Sequence, residues 1–98
     1  MNHQQEIKLL AKLIRQFSNE QDLTTFLDGL FSQGEVHRLL KRMEIIHQLK
    51  MNKSQREIAQ NLNVGLTTVT RGSRELNLGK FDVVNQNIWN WWNKVYWR

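Results

Sequence analysis

Residues 54–71, Ser54-Gln55-Arg56-Glu57-Ile58-Ala59-Gln60-Asn61-Leu62-Asn63-Val64-Gly65-Leu66-Thr67-Thr68-Val69-Thr70-Arg71, read as a helix, a tight turn and a second helix. Ser54 followed by Glu57 has the spacing of a capping box, which starts the first helix. Ile58, Ala59 and Leu62 give that helix one buried stripe, and small Ala59 lets a second helix come close. Asn63 and Gly65 bracket the turn, and both residue types tolerate positive φ. The second helix is unusual, because Leu66-Thr67-Thr68-Val69-Thr70 is rich in β-branched residues, which propagate helices poorly. With Leu66 and Val69 inward, Thr67, Thr68 and Thr70 point outward beside Arg71. Threonine offers a hydroxyl to base edges or phosphates and a methyl to the thymine methyl. The pattern therefore fits a helix-turn-helix that enters a DNA major groove. The plainer reading is an ordinary amphipathic helical hairpin in an all-α domain.

Charge favours the first reading. The chain carries 14 Lys and Arg against 9 Asp and Glu, and the excess is concentrated. Between Arg38 and Lys80 nine basic residues stand against three acidic ones, Glu44, Glu57 and Glu75. A positive field centred on the hairpin is the footprint of a phosphate-backbone partner, with a solvated basic face as the alternative. No long segment pairs a basic face with a wholly apolar one, which argues against a membrane-surface role.

Ninety-eight residues suffice for one domain with a modest core. The absence of cysteine removes a disulfide framework and a thiolate metal site, and suits a reducing cytoplasm. Met1-Asn2-His3-Gln4-Gln5-Glu6 lacks the apolar core of a signal peptide, and no apolar run approaches the roughly 20 residues that span a bilayer. Proline is absent and nothing alternates over strand length, so the chain is expected to be nearly all helix. No repeat, low-complexity segment or linker interrupts it.

Six helices are expected. The first covers about residues 4–19, with Ile7, Leu10, Ala11, Ile14 and Phe17 on one face. Asp22 reads as an N-cap for a second helix over 23–33, with Leu23, Phe26, Leu27, Leu30 and Phe31 buried and Gly34 as its end. A third runs over about 35–51, with Val36, Leu39, Leu40, Met43, Ile46 and Leu49 or Lys50 inward and Asn52 as its stop. The hairpin supplies helices four and five within 54–78, and a sixth starts near Phe81 or Asp82 and reaches the C-terminus. Residues 1–98 thus form one expected domain, with core and dimerisation helices at 4–51 and 81–98. The outer helices carry more apolar surface than a monomer of this size covers: Leu9 and Leu13 widen the first, and Ile88, Trp89, Trp91, Trp92, Val95, Tyr96 and Trp97 surround the last. The expectation is a homodimer that exchanges these helices. Its two reading heads would lie about one DNA turn (roughly 34 Å) apart on a palindromic site. Core packing is the plain alternative for the tryptophans.

Ser54-Gln55-Arg56-Glu57-Ile58-Ala59, followed by Val64 through Thr70-Arg71-Gly72-Ser73, resembles the helix-turn-helix of the bacterial tryptophan repressor family. Thr70-Arg71-Gly72-Ser73 is the specific part, and weaker similarity runs through Phe31-Ser32 and Arg42-Met43-Glu44-Ile45-Ile46. The resemblance implies an intertwined all-α homodimer that represses tryptophan-related operons, with L-tryptophan as co-repressor between core and reading head. It places Arg42 and Arg71 on the two faces of the indole, with Arg71 also reaching the carboxylate, as a planar guanidinium can. It further implies Ile45 and Ile46 on the apolar side, the carbonyls of Gly29 and Phe31 toward the ammonium, and Gly72 where the ligand nears the helix. Phosphate contact is the alternative for the two arginines, and close helix packing for Gly72. Where the family often has serine or alanine, this chain has Glu75, which either binds the ammonium or pairs with Arg71 at i, i+4. The Arg42–Ser54 connection is one residue shorter than in well-studied members, and an ungapped reading would substitute Lys41 for Arg42.

The DNA contacts implied are Leu66, Thr67, Thr68 and Thr70 on bases, and Lys53, Ser54, Gln55 and Arg56 on phosphates, with Gly65 at the turn. The alternatives are a regulator on the same scaffold with no ligand or another one, and a helical protein-interaction module. An enzyme or metal site is not expected, because His3, His37 and His47 are scattered and no carboxylate pair or Gly-rich phosphate loop accompanies them.

Overall fold

A computed structural model describes residues 1–97, and among them the chain forms six helices and no strand. They are α1 (His3–Arg15), α2 (Glu20–Leu30), α3 (Gln33–Lys50), α4 (Gln55–Leu62), α5 (Leu66–Asn77) and α6 (Gln86–Val95). They fall into two compact units, Met1–Val36 and the remainder from His37.

In the first unit asparagine side chains decide where the helices begin. Asn2 and Gln5 form a reciprocal capping box, each side chain bonding the other's backbone at 2.8 Å. Helix α1 stops at Arg15, earlier than its apolar pattern suggests. Asn19, rather than Asp22, is the N-cap of α2: its Oδ1 accepts from the Asp22 N–H at 2.8 Å. Asp22 then sits in the first turn, where a carboxylate complements the positive end of the helix dipole. Gly34 does not end α2. Phe31 does so, and Ser32 and Glu35 cap one another at the start of α3, which leaves Gly34 inside its first turn.

Phe17 stacks on Phe26 with ring centroids 4.7 Å apart. Beyond that this unit buries nothing fully: Ile7, Leu9, Leu10, Leu13 and Leu30, the last expected inside, are all exposed.

The second unit holds the core. In the C-terminal half of α3 five consecutive residues, Glu44 to Gln48, are buried, which no single-faced helix would show. The cause is packing on both sides. Ile45 joins Ile58, Leu62 and Val69 from α4 and α5, while Ile46 joins Trp89 and Trp92 from α6. Each such side chain contributes about 1.5–3 kcal/mol of hydrophobic burial. Val36, Leu39 and Leu40, expected inward, are exposed.

The polar residues of that buried stretch organise α6. Glu44 Oε1 accepts from the Trp92 indole N–H at 2.9 Å and lies 3.0 Å from His47 Nδ1. Its Oε2 accepts from Gln48 Nε2 at 2.9 Å and the Trp97 indole N–H at 3.1 Å. Trp89 stacks on the His47 ring, and Tyr96 stacks on Trp92. Burial, reinforced by the charge of Glu44, pushes the Tyr96 phenol up from its ordinary value. Helix α6 starts at Gln86 rather than near Phe81, because Asn85 Oδ1 caps it by accepting from the Ile88 N–H at 3.0 Å. It ends at Val95, where Tyr96 caps it, short of the expected reach to the C-terminus, and it is not buried all round: Ile88, Trp91 and Val95 are exposed, as is Trp97 beyond its end.

Candidate functional site

Helices α4 and α5 are joined by three residues whose geometry is local. Ser54 Oγ accepts from the Glu57 N–H at 3.1 Å, the serine half of the expected box. Asn63 closes α4 in the left-handed region at φ 53°, as Asn52 does after α3 at φ 63°. Gly65 does not use positive φ. It is the extended N-cap of α5 at φ −66°, and no side chain caps the helix there. The two helices close over Ile58, Leu62 and fully buried Val69, with Ala59 at their edge.

Thr67, Thr68 and Thr70 are exposed, as expected, while Leu66 is 46% exposed rather than inward. Leu66 opens the helix, so the apolar contact of its first turn falls to Val69 alone. The Thr70 hydroxyl is not free: it lies 2.8 Å from Gln55 Oε1 and 3.0 Å from the Leu66 carbonyl. It therefore braces α5 against the start of α4, and Gln55 is half-buried as a result. Arg56 is exposed at that same end, and Lys53 is partly exposed.

A cavity of about 480 Å³ lies between α3 and α5, within the range of small-molecule sites. Leu39, Met43, Ile45, Ile46 and Phe81 line it with apolar surface, and Arg42 and Arg71 supply guanidiniums. Neither arginine forms an ion pair among the described residues. Arg42, not Lys41, is in the lining. Thr67 and Thr68 belong to the wall as well, since positions 67, 68, 71, 72 and 75 share one face of α5. Gly72 lets α5 approach α3: a Cβ there would lie 3.1 Å from Ile45 Cγ2 and 3.4 Å from Ile46 Cδ1. The space freed by the missing side chain is thus taken by helix packing.

Glu75 lines the same cavity, and its ion pair is with Lys80 rather than Arg71. The hydrogen bond from Lys80 holds its carboxyl below the usual value against the effect of burial, and the charges of Lys80, Arg74 and Arg71 act in the same direction. Gly29, near the end of α2, and Phe31, its C-cap, lie in the other unit and are not part of this lining. Sequence reasoning missed Phe81, which a turn holds against the buried tryptophans, and the whole Glu44 cluster. The demand of buried indole N–H groups for acceptors was the available signal.

The described helices include none long and apolar enough to cross a membrane, and no three His, Cys, Asp or Glu residues are grouped as metal ligands among the described residues. Comparison with known proteins gives this fold and site a family. Residues 5–86 match the family described as Trp repressor protein. The chain is 42% identical over 73 residues to a Trp operon repressor homolog of Photobacterium profundum, covering 72% of this chain and 70% of that protein. It is 39% identical over 74 residues to one of Vibrio cholerae, covering 74% and 68%, and 31% identical over 77 residues to one of Xylella fastidiosa, covering 78% and 84%. No solved structure matches. The chain belongs to the Trp repressor family, which is regulatory rather than enzymatic.

Proposed function

We propose that the protein is a cytoplasmic, sequence-specific DNA-binding repressor of tryptophan-related operons that binds as a homodimer and responds to L-tryptophan. The observation that carries this reading is the sharing of one helix, α5, between a cavity whose two guanidiniums have no ion-pair partner among the described residues and a row of exposed threonines. A ligand in the cavity bears directly on the element that faces DNA.

The lining residues fit the amino acid chemically. Ile45, Ile46, Met43 and Phe81 offer an apolar bed for an indole, and Arg42 and Arg71 offer stacking and a carboxylate partner. L-Tryptophan supplies an aromatic wedge and a carboxylate that bias the position of α5. Arg71 orients the anion, Arg42 covers the ring, and the α3–α5 contact at Gly72 limits how far the helix can move. Family resemblance assigns the carbonyls of Gly29 and Phe31 to the ammonium. The exposed apolar residues of α1 and α2, together with Ile88, Trp91 and Val95, support a dimer that makes residues 1–98 one domain. Light scattering is expected to give twice the chain mass at micromolar concentration, and a monomer mass refutes the dimer.

On DNA, Leu66, Thr67 and Thr68 meet bases, while Lys53, Arg56 and the uncapped backbone N–H groups after Gly65 meet phosphates. Ser54, Gln55 and Thr70 reach DNA from the braced junction between α4 and α5, where each already makes an internal bond. Arg56→Ala is expected to weaken binding on every duplex and to reduce the salt slope by about one. Thr67→Ala is expected to change sequence preference by about 1 kcal/mol at one position, with little change in the slope. Binding competitions on two operator variants at several salt concentrations distinguish these roles, and identical effects of both substitutions contradict them.

A further inference from the structure

Helix α5 ends in a turn that aims a lysine back at Glu75. Gly79 lies at φ +81°, its N–H donates to the Leu76 carbonyl at 3.0 Å, and the Lys80 N–H donates to the Glu75 carbonyl at 3.4 Å. This is the paired-bond pattern of a Schellman motif, which fixes Lys80 over the last turn of the helix. The Lys80 ammonium then pairs with the Glu75 carboxylate, and the next residue, Phe81, contributes to the cavity wall.

Glu75 is the acidic member of a lining whose two cations, Arg42 and Arg71, have no ion-pair partner among the described residues. The cavity therefore presents free positive groups to an anion, while its negative group is already engaged by the chain itself. We propose that Lys80 is an internal competitor for the ligand's amino group. Its ammonium holds the Glu75 carboxylate, so Glu75 adds nothing to the affinity for an amino acid's α-ammonium until Lys80 is displaced. The inference rests on the tryptophan reading given above and makes Lys80 a specificity residue of that site. The competitor is displaceable, since the Lys80 side chain is 60% exposed and an exposed pair is weak. Its effect is to raise the concentration of amino acid needed for occupancy.

The test is calorimetric titration of the full chain with L-tryptophan and with indole-3-propionate, which keeps the indole and carboxylate and lacks the ammonium. Wild type sets the reference ratio of the two affinities. Lys80→Ala is expected to tighten L-tryptophan by roughly two- to fivefold and to leave indole-3-propionate unchanged. Adding Glu75→Gln to Lys80→Ala is expected to return the ratio to the wild-type value. Since indole-3-propionate binding reports an intact cavity, a folding defect would show in that arm. A ratio unmoved by Lys80→Ala, or equal tightening of both probes, overturns the inference and leaves the tryptophan site standing. Failure of L-tryptophan to bind any variant removes the tryptophan reading and this inference together, whereas failure of indole-3-propionate alone overturns the inference only.

Discussion

Glu44→Ala is expected to lower unfolding free energy by about 3–5 kcal/mol, a large share of the roughly 5–15 kcal/mol typical of a small domain. One carboxylate serves the indole N–H groups of Trp92 and Trp97, the Gln48 amide and the His47 ring, and is itself 1% exposed. Its removal leaves several donors without an acceptor, and each buried orphan costs about 1–3 kcal/mol. Water can reach Trp97, which is 59% exposed, so the full sum is not expected. Glu44→Gln keeps one acceptor oxygen but turns an amide NH2 toward donors on the other side, so it should recover only part of that loss. Urea titration followed by tryptophan fluorescence measures both. A loss below about 1 kcal/mol for Glu44→Ala would mean that α6 is held by apolar contact alone. The matched family residues end at Gln86, so this cluster ties a helix outside the match to one inside it.

The second large effect falls on the ligand. Arg71→Ala is expected to weaken L-tryptophan by about thirtyfold, the equivalent of ~2 kcal/mol for a charge-assisted carboxylate contact. Arg42→Ala should weaken it less, by about threefold, because an exposed cation over a ring contributes only ~0.5–1 kcal/mol. Both arginines face the cavity without carboxylate partners among the described residues, so neither substitution breaks an internal ion pair there. Folding should therefore be preserved, and calorimetry reads binding alone. Unchanged affinity in Arg71→Ala would place the ligand elsewhere.

The parts of this fold that could be read in advance are those governed by local rules. Ser54, Asn52 and Asn63 sit where cap and turn chemistry put them, because a side-chain bond or a left-handed φ depends on three or four neighbouring residues. Local rules also explain the misplacements. Asn19 and Asn85 compete with nearby candidates as N-caps, and a helix start shifts by several residues when one of them wins. Leu66 is exposed where periodicity expects it inward, because a pattern of spacings does not register that a residue opening a helix can lie beyond the packed contact. The Glu44 cluster was illegible for a different reason. Its bonds join residues 48 and 53 positions apart, and a glutamate surrounded by Ile and Met reads as a surface residue until two indoles arrive. At the cavity, Arg42, Arg71, Ile45, Ile46, Gly72 and Glu75 were assigned from resemblance and meet in one lining. The Lys80 partner of Glu75 depends on the turn at Gly79, which spacing alone does not reveal.

Fluorescence-anisotropy titration of duplex DNA, selected by the protein from a random pool, addresses the proposed function with least intervening assumption. Adding L-tryptophan is expected to tighten binding by about tenfold or more, with log affinity falling linearly as log salt rises. Failure to bind any duplex, or binding that is indifferent to L-tryptophan, would contradict it.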